Sequence, residues 1–275
     1  MSGLSIRVDV GRLIASSLVV LATYAVLIET WRRALAVWGA HVSFADAARI
    51  WNVSNLGKYV PGKVWQISAM AVMMQRIGVP LAASGAAALV LTIANVVVGF
   101  ALVLALGART LSAVPGGVVG VGALVAVAAA GLAAAPLLVP RLARAAGRLL
   151  GRDLSGLTVP FAAVWRSALG CLIAWLLYGV AFRLFTSAVL GEAPGGLLPY
   201  VVAYTGSYLL GYLALLFPGG IGVRELALTS ALPALGLMSP PAAALVTVWS
   251  RLWLTVLELV PGLLYLAAGA RSRQE

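Results

Sequence analysis

Two glycine-rich turns hold the residues best suited to chemistry. The first runs Asn55–Leu56–Gly57–Lys58–Tyr59–Val60–Pro61–Gly62–Lys63–Val64–Trp65–Gln66. Proline costs nothing in the first turn of a helix, because the N–H it lacks would be unpaired there anyway. Glycine leaves the neighbouring N–H groups uncovered. A helix starting at Pro61–Gly62 turns its partial positive charge toward this segment, and Lys58 and Lys63 add full charges. The combination is an anion site, with phosphate as the natural guest and Asn55, Trp65 and Gln66 beside it. A surface loop whose lysines reach out to lipid headgroups would use the same residues.

The second turn runs Phe217–Pro218–Gly219–Gly220–Ile221–Gly222–Val223–Arg224–Glu225 and repeats the Pro-Gly helix start. Arg224 and Glu225 stand between charge-free stretches over 193–223 and 226–250. Ionisable residues so placed are costly in lipid and default to function. Arg224 suits bidentate phosphate binding, and Glu225 suits orienting Arg224 or another arginine better than touching an anion. A structural ion pair joining two helices is the other reading. Arg251 and Glu258, seven residues apart, share roughly one face of the last long helix. Arg183 and Glu29 lie late in the two opening helices, and all four suit pairing across the bundle. Arg251 also belongs to the candidate substrate-binding set. Tyr204, Ser207, Tyr208 and Tyr212 recur at helical spacing, as a headgroup cavity lining or as packing. Arg141, Arg144, Arg148 and Arg152 recur likewise, on an amphipathic surface helix that binds anionic lipid or in a plain basic loop.

No Ser/His/Asp group, metal-ligand cluster or nucleotide-binding loop appears, so neither enzymatic catalysis nor a cofactor is expected. The single cysteine, Cys171, lies in an apolar run and implies neither disulfide nor metal. The single histidine, His41, reads as an interfacial residue. Net charge is +11, but the arginines sit at segment ends rather than on an aromatic-studded soluble face, which argues against nucleic acid.

The elements that must position these residues are membrane helices. The sequence is 62% hydrophobic and only 10% charged, where a soluble domain is about a quarter charged. Its mean hydropathy is +1.04. Charge-free runs over 77–108, 110–140, 193–223 and 226–250 each exceed the roughly 20 residues that cross a bilayer. They are continuous Ala/Leu/Val/Gly without the alternation of barrel strands, so helix satisfies the backbone. Helical segments are expected at 11–38, 44–58, 62–77, 80–107, 116–139, 162–190, 196–216, 219–236 and 239–269. The first is read as a retained helix, because Glu29–Thr30–Trp31–Arg32–Arg33 makes a poor signal cleavage site.

An internal repeat organises these segments. Each Pro-Gly turn precedes a helix, then a proline joint (Gly78–Val79–Pro80 and Ser239–Pro240), then a long helix ending in Gly-Ala-Arg at 107–109 and 269–271. Tyr24 and Tyr178 sit at comparable distances upstream. Residues 1–275 thus read as one transmembrane domain: repeat 1 over 11–107, a linker helix over 116–139, and repeat 2 over 162–269. If each Pro-Gly turn centres a re-entrant hairpin, the number of crossings between the repeats makes them inverted, as in transporters. The fold class expected is an all-α polytopic membrane protein with an inverted-topology repeat and two re-entrant hairpins. The arginine distribution puts the 141–157 loop and the C-terminus in the cytoplasm of a multi-pass cell-membrane protein.

The segments Gly57–Lys58–Tyr59–Val60–Pro61–Gly62–Lys63–Val64–Trp65 and Phe217 to Glu225 resemble the hallmark turns of the flippase-like family, also called the lysylphosphatidylglycerol synthase transmembrane region. The resemblance covers roughly 10–270. It implies a lipid with a phosphate headgroup, either aminoacylated phosphatidylglycerol or a polyprenyl-phosphate-linked lipid, moved between leaflets. It also implies Lys58, Lys63, Arg224 and Glu225 as functional positions, and a glycosyltransferase or lipid-modifying enzyme as a partner. No aminoacyl-transferase domain follows in this sequence, so lipid synthesis is not expected of it, and a helix that many relatives carry before the first is not read here. The function expected is that of a lipid flippase binding anionic headgroups. The alternatives are a non-transporting scaffold subunit for a glycosyltransferase or lipid synthase, and a secondary transporter of a small anion.

Overall fold

A computed structural model describes residues 8–59, 64–111, 158–214 and 218–271, with isolated helical residues between 126 and 144. Pro61, Gly62 and Lys63, Phe217, most of the expected helix at 116–139, and Arg148 and Arg152 lie outside the described residues. No strand occurs among the described residues.

The chain opens with α1 (Val10–Ala36). The Ser43 hydroxyl caps α2 (Phe44–Asn55) by accepting the Asp46 N–H at 3.1 Å. A 3-10 turn, Leu56–Tyr59, follows, and then α3 (Val64–Arg76) and α4 (Leu81–Leu111). The later elements are α5 (Phe161–Leu190), α6 (Leu197–Leu213), a second 3-10 turn at Pro218–Gly220, α7 (Val223–Ala234) and α8 (Pro240–Arg271). Two expected helices are shorter than read from sequence. The segment at 44–58 tightens to 3-10 geometry after Asn55. The segment at 219–236 becomes α-helical only at Val223, because Gly219, Gly220 and Gly222 take φ of 59°, 70° and 88°, which no α-helix admits. Pro218 therefore opens a separate turn rather than α7.

Among the described residues, four helices are long and apolar enough to cross a membrane: Val10–Ala36, Leu81–Gly107, Phe161–Leu190 and Pro240–Ala268. Their outward faces are apolar. On α8, Val248, Leu252, Val256, Val260, Leu263 and Leu264 are exposed, a surface suited to hydrocarbon rather than water.

The chain divides into two compact units. One comprises Val26–Ile50 and Ile67–Leu172. Val90, Val159 and Val164 form a core cluster there with Trp38 and Ile93 against it. The Trp38 indole donates to the Thr158 carbonyl at 2.6 Å. Glu29 pairs with Arg32 and Arg33 one turn along its own helix, at 2.7 and 2.6 Å.

The other unit comprises Met1–Ala25, Trp51–Gln66 and Ile173–Glu275. Its interior is tied by the Ser16 hydroxyl donating to the Ala181 carbonyl at 2.7 Å, and by the Trp253 indole donating to the Ser17 hydroxyl at 2.9 Å. Phe185 stacks on Trp253 at 4.6 Å between ring centroids. Arg183 donates to the Gly195 carbonyl at 3.2 Å, so it serves the loop after α5. Glu29 and Arg183 each find partners close in sequence within their own unit.

Candidate functional site

All the residues of this site lie in the unit that contains both glycine-rich turns. The first turn is closed locally. The Gln66 amide donates to the Asn55 side-chain oxygen at 2.5 Å. A Cβ on Gly57 would fall 2.8 Å from the Gln66 nitrogen, so the chain leaves the turn hard against the place where it arrived. The 3-10 turn Leu56–Tyr59 packs on the second turn, Pro218–Gly220, and on α8. Gly262 permits that contact: a Cβ there would lie 2.8 Å from the Leu56 side chain and 2.9 Å from the Asn52 carbonyl oxygen. One helical turn before Gly262 stands Glu258. Its Oε2 meets Lys58 Nζ at 2.6 Å and accepts the Tyr59 hydroxyl as well.

The second turn is closed by Arg251. Its Nη2 donates to the Gly219 carbonyl at 3.0 Å, and its Nε faces Glu225 Oε1 at 3.3 Å, without hydrogen-bond geometry to that oxygen. Glu225 Oε2 accepts the Gly222 N–H at 2.6 Å, as a side chain in the first turn of a helix does when it reaches back over the cap. Glu225 thus orients an arginine, and that arginine is Arg251. Close backbone approach makes this geometry possible. A Cβ on Gly220 would sit 2.6 Å from the Gly211 carbonyl oxygen, and one on Gly211 would sit 2.7 Å from Arg224 Cβ.

Arg224 follows from that approach. It is 7% exposed and lies in the first turn of α7, where uncompensated N–H groups favour an anion. Its guanidinium stands 5.2 Å from the ring centroids of both Tyr204 and Tyr208. Among the described residues no carboxylate lies within ion-pair distance of it. Tyr178 stacks on Tyr204 at 5.3 Å and meets Tyr24 edge-on at 6.4 Å, which extends the aromatic wall. Lys58 lies within electrostatic reach of Arg224 and Arg251, and Glu258 within reach of Arg224.

A narrow crevice lined by Arg224, Glu225, Leu228, Thr247, Ser250 and Arg251 lies at this point. Its walls stand too close to seat a water-sized sphere. The Thr247 hydroxyl is buried there without a hydrogen-bond partner among the described residues. What the arrangement offers chemically is concentrated positive charge, two carboxylates that restrain it, and a wall of aromatic rings.

Of the residues expected from sequence, Lys58, Gly219, Gly220, Arg224, Glu225 and Arg251 come together here, with Pro218 opening the second turn. Asn55 and Gln66 bond each other and shape the first turn. Trp65 is 55% exposed. In the tyrosine stripe, Tyr204 and Tyr208 face Arg224, while the Ser207 hydroxyl bonds back to the Tyr204 carbonyl at 2.9 Å. Sequence reasoning left Glu258, Tyr59, Tyr24, Tyr178 and Gly211 out of the binding set. Two signals were present for some of them: Tyr24 and Tyr178 occupy matching repeat positions, and Glu258 is the acid that shares a face with Arg251.

No protein-family model matches the chain, and no curated protein matches it.

Proposed function

We propose that the protein moves a phosphate-bearing lipid between membrane leaflets, in the manner of the flippase-like family that its two turns resemble. One observation carries the reading: Arg224, more than nine-tenths buried and without a carboxylate at ion-pair distance among the described residues, sits at a helix N-terminus beside Lys58. A buried cation lacking a protein counterion is costly unless a guest supplies the charge. The headgroup would displace the crevice walls and meet Arg224 and Lys58, while the acyl tails stay in lipid. The proposal includes the inverted repeat of 11–107 and 162–269, re-entrant Pro-Gly hairpins, and an anionic phospholipid or polyprenyl-phosphate lipid as substrate, with no catalytic step.

The test is translocation of a fluorescent phosphatidylglycerol in vesicles containing the purified protein. Arg224→Ala should slow it at least about tenfold, the loss expected when a charge-assisted contact disappears, while the protein elutes and melts as a folded species. Normal transport by this variant would sink the anion site. The second reading, a scaffold subunit, is favoured by the narrowness of the crevice and by the pairing of Lys58 and Arg251 within the protein. It prevails if the wild-type protein moves lipid no faster than empty vesicles do.

The proposed orientation places 141–157 and the C-terminus in the cytoplasm. In a chain lacking Cys171, Ala145→Cys and Arg273→Cys should resist an impermeant thiol reagent added to intact cells. Labelling of both from outside reverses the orientation.

A further inference from the structure

We infer that binding of an anionic headgroup at this site is coupled to uptake of one proton by Glu258, an inference that rests on the anion site proposed above.

The three cations of the site among the described residues differ in what holds them. Arg251 is committed to the fold: its guanidinium spans the Gly219 carbonyl and Glu225, and Glu225 is itself tied to the Gly222 N–H. Arg224 has aromatic faces instead of a carboxylate at ion-pair distance among the described residues. Lys58 is held by one acid, Glu258, at 2.6 Å. That leaves Glu258 as the carboxylate within electrostatic reach of both Lys58 and Arg224, the two cations a phosphate would use.

Every element around Glu258 contributes to this balance. The first 3-10 turn brings Lys58 and Tyr59, α7 brings Arg224, and α6 brings Tyr204 and Tyr208. Tyr178 of α5 and Tyr24 of α1 complete the surroundings, with Arg251 two turns away on α8 itself. The groups around Glu258 are phenols, an ammonium and guanidiniums, whose ordinary titration ranges lie well above neutral pH, whereas a carboxyl group's lies below it. Of the two carboxylates described at the site, Glu225 is tied to the Gly222 N–H and faces Arg251, which leaves Glu258 as the one that a guest on Lys58 would displace.

A phosphodiester that pairs with Lys58 and Arg224 places its negative charge against the half-buried Glu258 carboxylate. Two such charges at close quarters repel strongly unless one is neutralised. The balanced step takes a proton from solvent onto the Glu258 carboxylate, breaks the Lys58–Glu258 ion pair, and forms the Lys58–phosphate pair. Release of the lipid reverses all three, and the proton returns to solvent. Because binding consumes a proton, it strengthens as pH falls. A lipid that crosses with its proton can also draw on a pH gradient.

The experiment uses the full chain in phosphatidylcholine nanodiscs and dihexanoyl-phosphatidylglycerol, a phosphodiester whose own charge is constant between pH 5 and 8. Calorimetric titration in buffers of different ionisation enthalpy counts the protons taken up per lipid bound. The wild-type protein should take up nearly one, and its affinity should fall by up to about tenfold per pH unit as pH rises. Glu258→Gln should bind without proton uptake and with a flat pH profile. Lys58→Gln provides a second test should that variant fail to fold: with no Lys58–Glu258 pair to exchange, its proton uptake per lipid bound should fall well below the wild-type value, and unchanged uptake overturns the coupling. Binding by the wild type with no proton uptake overturns the coupling and leaves the anion site standing. Uptake that persists in Glu258→Gln overturns the assignment to Glu258. No binding by the wild type overturns the anion site and the coupling together. Glycerophosphoglycerol, the same headgroup without tails, should bind at least about tenfold more weakly; equal binding with the same proton uptake supports the coupling and transfers it to a soluble anion.

Discussion

The two glycine-rich turns carry similar residues and use them differently. In the turn at 218–225 the acid works as a clamp: Glu225 bridges Arg251 and the Gly222 N–H, and Arg251 reaches on to the Gly219 carbonyl. In the turn at 55–66 neutral amides do the clamping, through Asn55 and Gln66. The lysine there is answered from a distant part of the chain, by Glu258 on α8. One carboxylate therefore maintains a backbone shape, while the other serves as the counterion of a lysine side chain. Where the clamp takes up Arg251, its neighbour Arg224 is left among tyrosines, and that inequality is the basis of the proposed anion site.

The comparison breaks first at Gly220. Gly220→Val forces a branched side chain onto a φ of 70° and a Cβ to 2.6 Å from the Gly211 carbonyl oxygen. It should cost about 2–4 kcal/mol, or prevent folding, as read from thermal melting in detergent. Next comes Arg251→Ala, which leaves Glu225 without its arginine and the Gly219 carbonyl without its donor. Partial exposure of that pair limits the expected loss to about 1–3 kcal/mol, by the same melt. Asn55→Ala removes a single neutral hydrogen bond and should cost about 1 kcal/mol. If Asn55→Ala destabilises more than Arg251→Ala, the second turn is not the charged clamp described here.

Sequence alone determined the solvent and the class of structure. A chain with 62% hydrophobic residues and charge-free runs longer than a bilayer is thick must satisfy its backbone internally, and helix follows without tertiary information. Sequence also located both turns, because Pro, Gly and isolated charges inside apolar runs stand out one residue at a time. It misjudged the second helix start by reading Pro218–Gly219 as its first turn, because positive φ at three glycines is a backbone choice that composition permits but does not dictate. Partner identity was decided by tertiary structure alone. Arg251 and Glu258 share a helix face, yet Arg251 joins Glu225 and Glu258 joins Lys58. The physical reason is contact distance: the missing side chains of Gly262, Gly211 and Gly220 let particular backbones approach within reach of particular charges, and no local pattern records which helix will pass close to which.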